Sequence, residues 1–129
     1  MKRVMIVDND EAWIRSLKLL LTERGYEVYA FTDPSKACDF IDQMACVACV
    51  GESEMPDAVV LDYLMPEMSG YQVLGRMGYH LSSSCRIVFV TGHGEQLRNA
   101  KLGQMGVAAC LAKPVDLDGL VAALEGQAA

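Results

Sequence analysis

With 129 residues, 52% of them hydrophobic, the chain has the size of one domain, expected over 1–129, and enough length to bury a core without staples. Its net charge of −6, from 17 acidic and 11 basic residues, argues against nucleic-acid binding by this domain, because phosphate contacts need a basic face. No stretch reaches the length of a membrane span, and the apolar run Val4 to Val7 is too short for a signal peptide, so a cytoplasmic location is expected.

Val4 to Val7 reads as a first strand that ends at Asp8-Asn9-Asp10-Glu11. A helix is predicted from Glu11 to Arg24. Ile14, Leu17 and Leu21 recur at helical spacing, with Trp13 and Leu20 widening the stripe. Asp10 suits its N-cap and Gly25 its stop. Glu27 to Phe31 is a second strand. Thr32 or Asp33 with Pro34 opens a second helix that extends toward Met44 or Val47. Gly51 to Met55 is a polar loop, and the stretch Cys46 to Met55 has no functional reading.

Val59-Val60-Leu61 is a short run of β-formers with no polar break, which suits a strand buried on both faces. It ends in Asp62 and opens into a loop that contains Pro66 and Gly70. A third helix starts at Ser69 or Gly70, and Gly75 and Gly78 should keep it short. Ile87 to Val90 is a fourth buried strand, ending at Thr91-Gly92-His93-Gly94. A fourth helix is predicted from Glu95 to Met105, then a fifth strand from Ala108 to Ala112 and the pair Lys113-Pro114. Asp116 caps a last helix through Leu117, Leu120, Val121 and Leu124.

Strands and helices alternate five times, which specifies an α/β fold: a doubly wound, flavodoxin-like parallel sheet of five strands with five helices. In strand order 2-1-3-4-5 the crevice lies between the first and third strands. Asp8 and Asp62 then face each other across it, and Thr91 and Lys113 end the neighbouring strands on the same edge. Two carboxylates held close repel, and a divalent cation between them relieves the repulsion; oxygen ligands with room for water suit Mg²⁺. Lys113 can neutralise a phosphoryl oxygen and Thr91 can donate to another. Carboxylate attack on a phosphoryl donor would form an aspartyl-phosphate on Asp62.

The five cysteines, an odd count without framework spacing, do not suggest disulfides. Cys46-Val47-Ala48-Cys49 is formally C-x-x-C but lacks a second pair or a redox setting. Buried or semi-exposed free thiols acting as small hydrophobes are expected.

Four segments carry a family resemblance: Val4-Met5-Ile6-Val7-Asp8-Asn9-Asp10-Glu11; Leu61-Asp62-Tyr63-Leu64-Met65-Pro66-Glu67-Met68-Ser69-Gly70; Val90-Thr91-Gly92-His93-Gly94; and Lys113-Pro114. The chain resembles, over nearly its whole length, the receiver domain of bacterial two-component response regulators. The resemblance implies that Asp62 takes phosphate from a phosphohistidine on a sensor histidine kinase or phosphotransfer protein, as a signalling switch rather than an enzyme. It implies that Asp8, Asn9, Asp62 and the carbonyl of Leu64 hold Mg²⁺, that Thr91 and Lys113 bind the phosphoryl group, and that the Lys113–Pro114 bond is cis. It also implies an output surface on the fourth helix, fifth strand and fifth helix, for an effector or a second copy.

Three positions depart from the family pattern. The usual second acid is Asn9, an uncharged ligand, so Mg²⁺ should bind more weakly than in a double-acid receiver. Tyr or Phe often stands three residues before the lysine; here it is Cys110, either simply packed or marking an output surface without its aromatic switch. Signal would then travel through the fourth helix and the loop around His93, itself read as a loop residue that influences phosphate lifetime. Leu64 cannot hydrogen-bond an attacking water, which predicts slow self-dephosphorylation. Two competing readings are a degenerate receiver that ignores phosphate and a phosphatase using Asp8-Asn9-Asp10 as a D-x-D nucleophile motif.

Overall fold

The structure, a computed structural model, describes residues 2–48, 55–82, 84–92 and 107–126. Its elements are β1 (Arg3–Val7), α1 (Glu11–Glu23), β2 (Glu27–Phe31), α2 (Pro34–Ala48), β3 (Ala58–Asp62), α3 (Gly70–Met77), a 3-10 turn (Gly78–His80), β4 (Arg86–Thr91), β5 (Val107–Ala112) and α4 (Leu117–Leu124). The strands form one parallel sheet in the order β2-β1-β3-β4-β5, as the alternation of elements predicts. Four α-helices are described rather than five; the helix expected at 95–105 lies outside the described residues, as do His93, Cys49 and the loop 51–54. Among the described residues no helix is long and apolar enough to cross a membrane.

Side chains of a strand alternate between faces, and here each face has its own core. Met5, Val7, Val59, Leu61 and Phe89 pack with Ile41 of α2 and Val73 of α3. Val4, Ile6, Val60 and Val90 pack with Leu17 and Leu21 of α1 and Leu120 of α4. Every residue of β3 is buried, which is why its sequence lacks polar breaks. Each buried Val or Leu contributes about 1.5–3 kcal/mol.

Helix boundaries follow local chemistry. Asp10 caps α1 by accepting from the Trp13 N–H at 3.1 Å, and Gly25 leaves the helix at φ +94°, a conformation glycine adopts without a Cβ penalty. Asp33, the second of the two residues considered for the start of α2, accepts from the Ser35 N–H. Within α1, Ile14, Leu17 and Leu21 are buried as the spacing predicts, but Leu20 is exposed beside Leu19. Trp13 packs partly against the same core and widens the 14–17–21 line as expected, whereas Leu20 does not.

A β-bulge in β5 matters for the site. Ile87 pairs with Val107, but Val88 pairs with Ala109, leaving Ala108 as an extra residue. A one-residue shift reverses side-chain direction. Downstream of the bulge, Ala109 and Leu111 pack on the α1/α4 face with Val88 and Val90. Lys113 continues that parity, and Asp8 and Asp62 continue the same face from β1 and β3. Arg86 Nε donates to the Ala123 carbonyl at 2.7 Å, and the Tyr26 hydroxyl donates to Glu125 Oε1 at 2.8 Å. These bonds tie α4, and hence the corner that carries Lys113, to the rest of the sheet.

Candidate functional site

The parallel register of β1 and β3 pairs Val7 with Leu61, so the next residue of each strand, Asp8 and Asp62, emerges side by side at the carboxyl edge. Both are buried, at 3% and 6% exposure. Asp8 Oδ1 accepts from the Asp10 N–H at 2.9 Å, and Oδ2 accepts from Lys113 Nζ at 2.6 Å. Asp62 Oδ1 accepts from the Leu64 N–H at 3.3 Å, and its Oδ2 lies 3.9 Å from Lys113 Nζ.

Thr91 ends β4 fully buried, and its carbonyl accepts from the Lys113 N–H at 2.8 Å. That bond sets the lysine backbone at the edge of the pocket, and the Lys113–Pro114 peptide that follows is cis. The Lys113 ammonium also lies 5.8 Å from the centre of the Trp13 ring. Asp8, Asp62, Thr91 and Lys113, singled out by strand position alone, thus converge at one edge.

Burial pushes the Asp62 carboxyl up to about 6, and the neighbouring Asp8 charge adds to the rise; Lys113 and the Leu64 N–H pull the other way, and a hydrogen bond shared with Asp8 adds a little more. One ammonium therefore does not fully offset two buried carboxylates. The remaining demand for positive charge, met by oxygen donors, fits a hard divalent cation. Asp8 and Asp62 are its charged ligands; Asn9, exposed at the rim, and the Leu64 carbonyl are the neutral oxygens expected beside them. Among the described residues no three His, Cys, Asp or Glu side chains gather as a metal cage, so a cation here would lean on two carboxylates, neutral oxygens and water.

Gly70 closes the loop after β3. Its N–H donates to the Tyr63 carbonyl at 2.8 Å, and a Cβ there would stand 2.5 Å from the Asp62 carbonyl oxygen. Only glycine allows α3 to start this close to the strand end. The helix begins with a capping box, Ser69 and Gln72 bonding reciprocally to each other's backbone N–H. The S-x-x-Q spacing is the signal of that box in the sequence. Nothing in the sequence pointed to the approach of Trp13 to Lys113.

Two expectations need correction or narrowing. Cys110 is exposed, not packed. It stands opposite Phe89 on an edge strand whose residues alternate between half-buried and exposed, so small apolar character did not secure burial. Asp10 lies in the sequence like a second acid of a D-x-D motif, but its carboxylate is committed to capping α1.

Comparison with known proteins agrees with this fold. Residues 4–125 match the family model of the response regulator receiver domain. The response regulator protein TmoT of Ectopseudomonas mendocina is 28% identical over 121 residues, covering 94% of this chain and 50% of that protein. The chain therefore spans half the length of TmoT. Sporulation initiation phosphotransferase F of Bacillus subtilis (strain 168) is 26% identical over 117 residues, covering 91% of this chain and 86% of that one. A CheY-like receiver domain protein from Methanospirillum hungatei JF-1 superimposes with a TM-score of 0.80 at 25% identity, over 98% of this chain and 92% of that chain. TrrA from Thermotoga maritima, solved in complex with Mg²⁺ and BeF, gives a TM-score of 0.73 at 24% identity over 98% of both chains. From its sheet order, its acid-bearing strand ends and the match over residues 4–125, the chain belongs to the receiver domain family of two-component response regulators, whose role is that of a phosphoacceptor.

Proposed function

We propose that Asp62 is the phosphoacceptor of this chain, taking a phosphoryl group from a phosphohistidine on a sensor histidine kinase or a phosphotransfer protein. The observation that carries this reading is the position of Asp62: buried, beside Asp8, with Oδ2 turned toward the Lys113 ammonium. Oδ1 is held by the Leu64 N–H, which leaves Oδ2 as the attacking oxygen. The phosphorus–nitrogen bond of the donor breaks as the Oδ2–phosphorus bond forms, and the imidazole leaves with its electron pair. Lys113 faces the developing negative charge, and the Thr91 hydroxyl serves as a second donor at the neighbouring strand end. A divalent cation held by Asp8, Asp62, Asn9 and the Leu64 carbonyl, Mg²⁺ by the chemistry of these oxygens and by analogy with TrrA, would offset charge between an anionic donor and an anionic nucleophile.

Phosphorylation adds about −1.5 to −2 charge at the sheet edge. We assign the response to a two-state shift of the domain, read on β5, α4 and the segment 95–105 by an effector or a second copy of the chain. Transfer from phosphoramidate, whose phosphorus–nitrogen bond mimics phosphohistidine, tests the donor class. Labelling of the wild type in Mg²⁺ and none in Asp62→Asn is expected; equal labelling of both would remove the proposal. The phosphatase reading is disfavoured because Asp10 caps α1 instead of entering the pocket. The degenerate-receiver reading is disfavoured because Asp8, Asp62 and Lys113 remain in mutual contact.

A further inference from the structure

We infer that Trp13 is a positioning residue for Lys113, its indole face holding the ammonium at the pocket when Asp8 is engaged elsewhere; this rests on the phosphoacceptor reading above. Among the described residues Lys113 Nζ donates one hydrogen bond, to Asp8 Oδ2 at 2.6 Å; Asp62 Oδ2, at 3.9 Å, is too far for a hydrogen bond and attracts it as an ion pair. Asp8 is also a charged ligand of the expected cation. A cation bound there competes for the oxygen that holds the lysine. The side chain has a flexible four-carbon stem and is 24% exposed, so without Asp8 it can swing toward water. A double-acid receiver would keep a further carboxylate nearby, but here that position is Asn9, neutral and exposed.

Beside the two carboxylates, the indole is a further attractive surface that the described residues place at the ammonium. Its centroid lies 5.8 Å from Nζ, within the range of about 6 Å over which an aromatic face attracts a cation. Trp13 is itself well anchored. It sits in the first turn of α1, its N–H bonds the Asp10 carboxylate, and its ring packs partly into the core that contains Ile14 and Leu17. Its attraction to Lys113 does not depend on the charge state of either carboxylate. The ammonium therefore has a holding point that survives cation entry and remains within reach of the incoming phosphoryl oxygen.

A bland alternative is that Trp13 only covers the lysine stem with apolar surface. Trp13→Leu keeps apolar bulk and removes the π face, whereas Trp13→Phe keeps a π face, so the two variants separate the readings. In lysine-labelled protein, the Lys113 ε-methylene resonance, assigned by its loss in Lys113→Met, should carry an upfield ring-current shift. That shift should persist in Trp13→Phe and vanish in Trp13→Leu. With acetyl phosphate and saturating Mg²⁺, Trp13→Leu should take up phosphate about three- to tenfold more slowly than wild type, and Trp13→Phe should recover most of the rate. In a Lys113→Met background, Trp13→Leu should cause no further loss. An unshifted Lys113 resonance in the wild type overturns the inference, as does a Phe variant as slow as Leu, or an equal effect of Trp13→Leu with and without Lys113. The resonance experiment needs no phosphoryl transfer, so failure of the wild type to take up phosphate would count against the phosphoacceptor reading and leave the resonance to decide this one.

Discussion

Asp8 Oδ2 accepts a hydrogen bond from Lys113 Nζ at 2.6 Å across 105 residues of sequence. The lysine thus serves as an internal counter-ion for a carboxylate that is also expected to bind a divalent cation. The two roles of Asp8 are antagonistic. Lys113→Met should bind Mg²⁺ about three- to tenfold more tightly than wild type, because it removes a positive charge beside both carboxylates. It should nevertheless accept phosphate far more slowly, by about a hundredfold, having lost a group that stabilises transferring charge. Titration of Trp13 fluorescence with Mg²⁺ measures the affinity; equal or weaker binding in the variant contradicts the antagonism.

Asn9 sets the charge of the site from the other side. Asn9→Asp adds an anionic oxygen where the chain offers an amide, and ligand charge is a main determinant of affinity for hard cations. The variant should bind Mg²⁺ about tenfold more tightly. Isothermal titration of both proteins at one pH checks this, and equal affinities would remove the claim that Asn9 weakens the site.

The raised Asp62 carboxyl has a consequence for stability in the absence of divalent cation. Its folded value is pushed from 3.8 to about 6, so the native state holds a proton that the unfolded chain releases. The resulting stabilisation is fully present below pH 3.8 and is lost as pH rises through about 6; above that, ionised Asp62 is a net cost. Asp62→Asn removes the cost. Urea unfolding in EDTA should find the variant more stable by on the order of 2 kcal/mol at pH 7.5, with the difference shrinking toward pH 4. A variant less stable than wild type at pH 7.5 would contradict the burial account of Asp62.

Leu64 is exposed at the rim of the pocket while its N–H holds Asp62 Oδ1. Its side chain cannot orient a water for attack on an aspartyl-phosphate. Leu64→Asn supplies a donor and an acceptor there without touching the backbone bond, and should shorten the phosphoryl lifetime by about two- to tenfold. Decay of the phosphorylated species after removal of donor provides the measurement; an unchanged or longer lifetime counts against a water-excluding role for Leu64.

The candidate site edge was legible in the sequence because a buried parallel strand announces itself by an unbroken apolar run, and the residue that breaks the run must then stand at the sheet edge. Asp8, Asp62, Thr91 and Lys113 all satisfy that condition. The Asp10 and Asp116 caps were legible for a similarly local reason: each accepts from a backbone N–H three residues on. Contacts that depend on how elements dock were not legible. The Ala108 bulge, which sets the face that Lys113 takes, leaves no mark in a run of small apolar residues. The exposure of Leu20 and Cys110 depends on which flank of an element meets the sheet, and apolar character alone does not settle that. The placement of Trp13 at the lysine combines a helix position with a loop from the far end of the chain.

The central claim is that Asp62 is the nucleophile, activated by its place among Asp8, Lys113 and a bound cation. Intact-mass spectrometry after incubation with acetyl phosphate, with and without Mg²⁺, followed by peptide mapping, tests it most directly. The account predicts a mass gain of one phosphoryl group that requires Mg²⁺, maps to Asp62 and is absent from Asp62→Asn. A phosphoryl group found on another residue, or no gain under any condition, would contradict it.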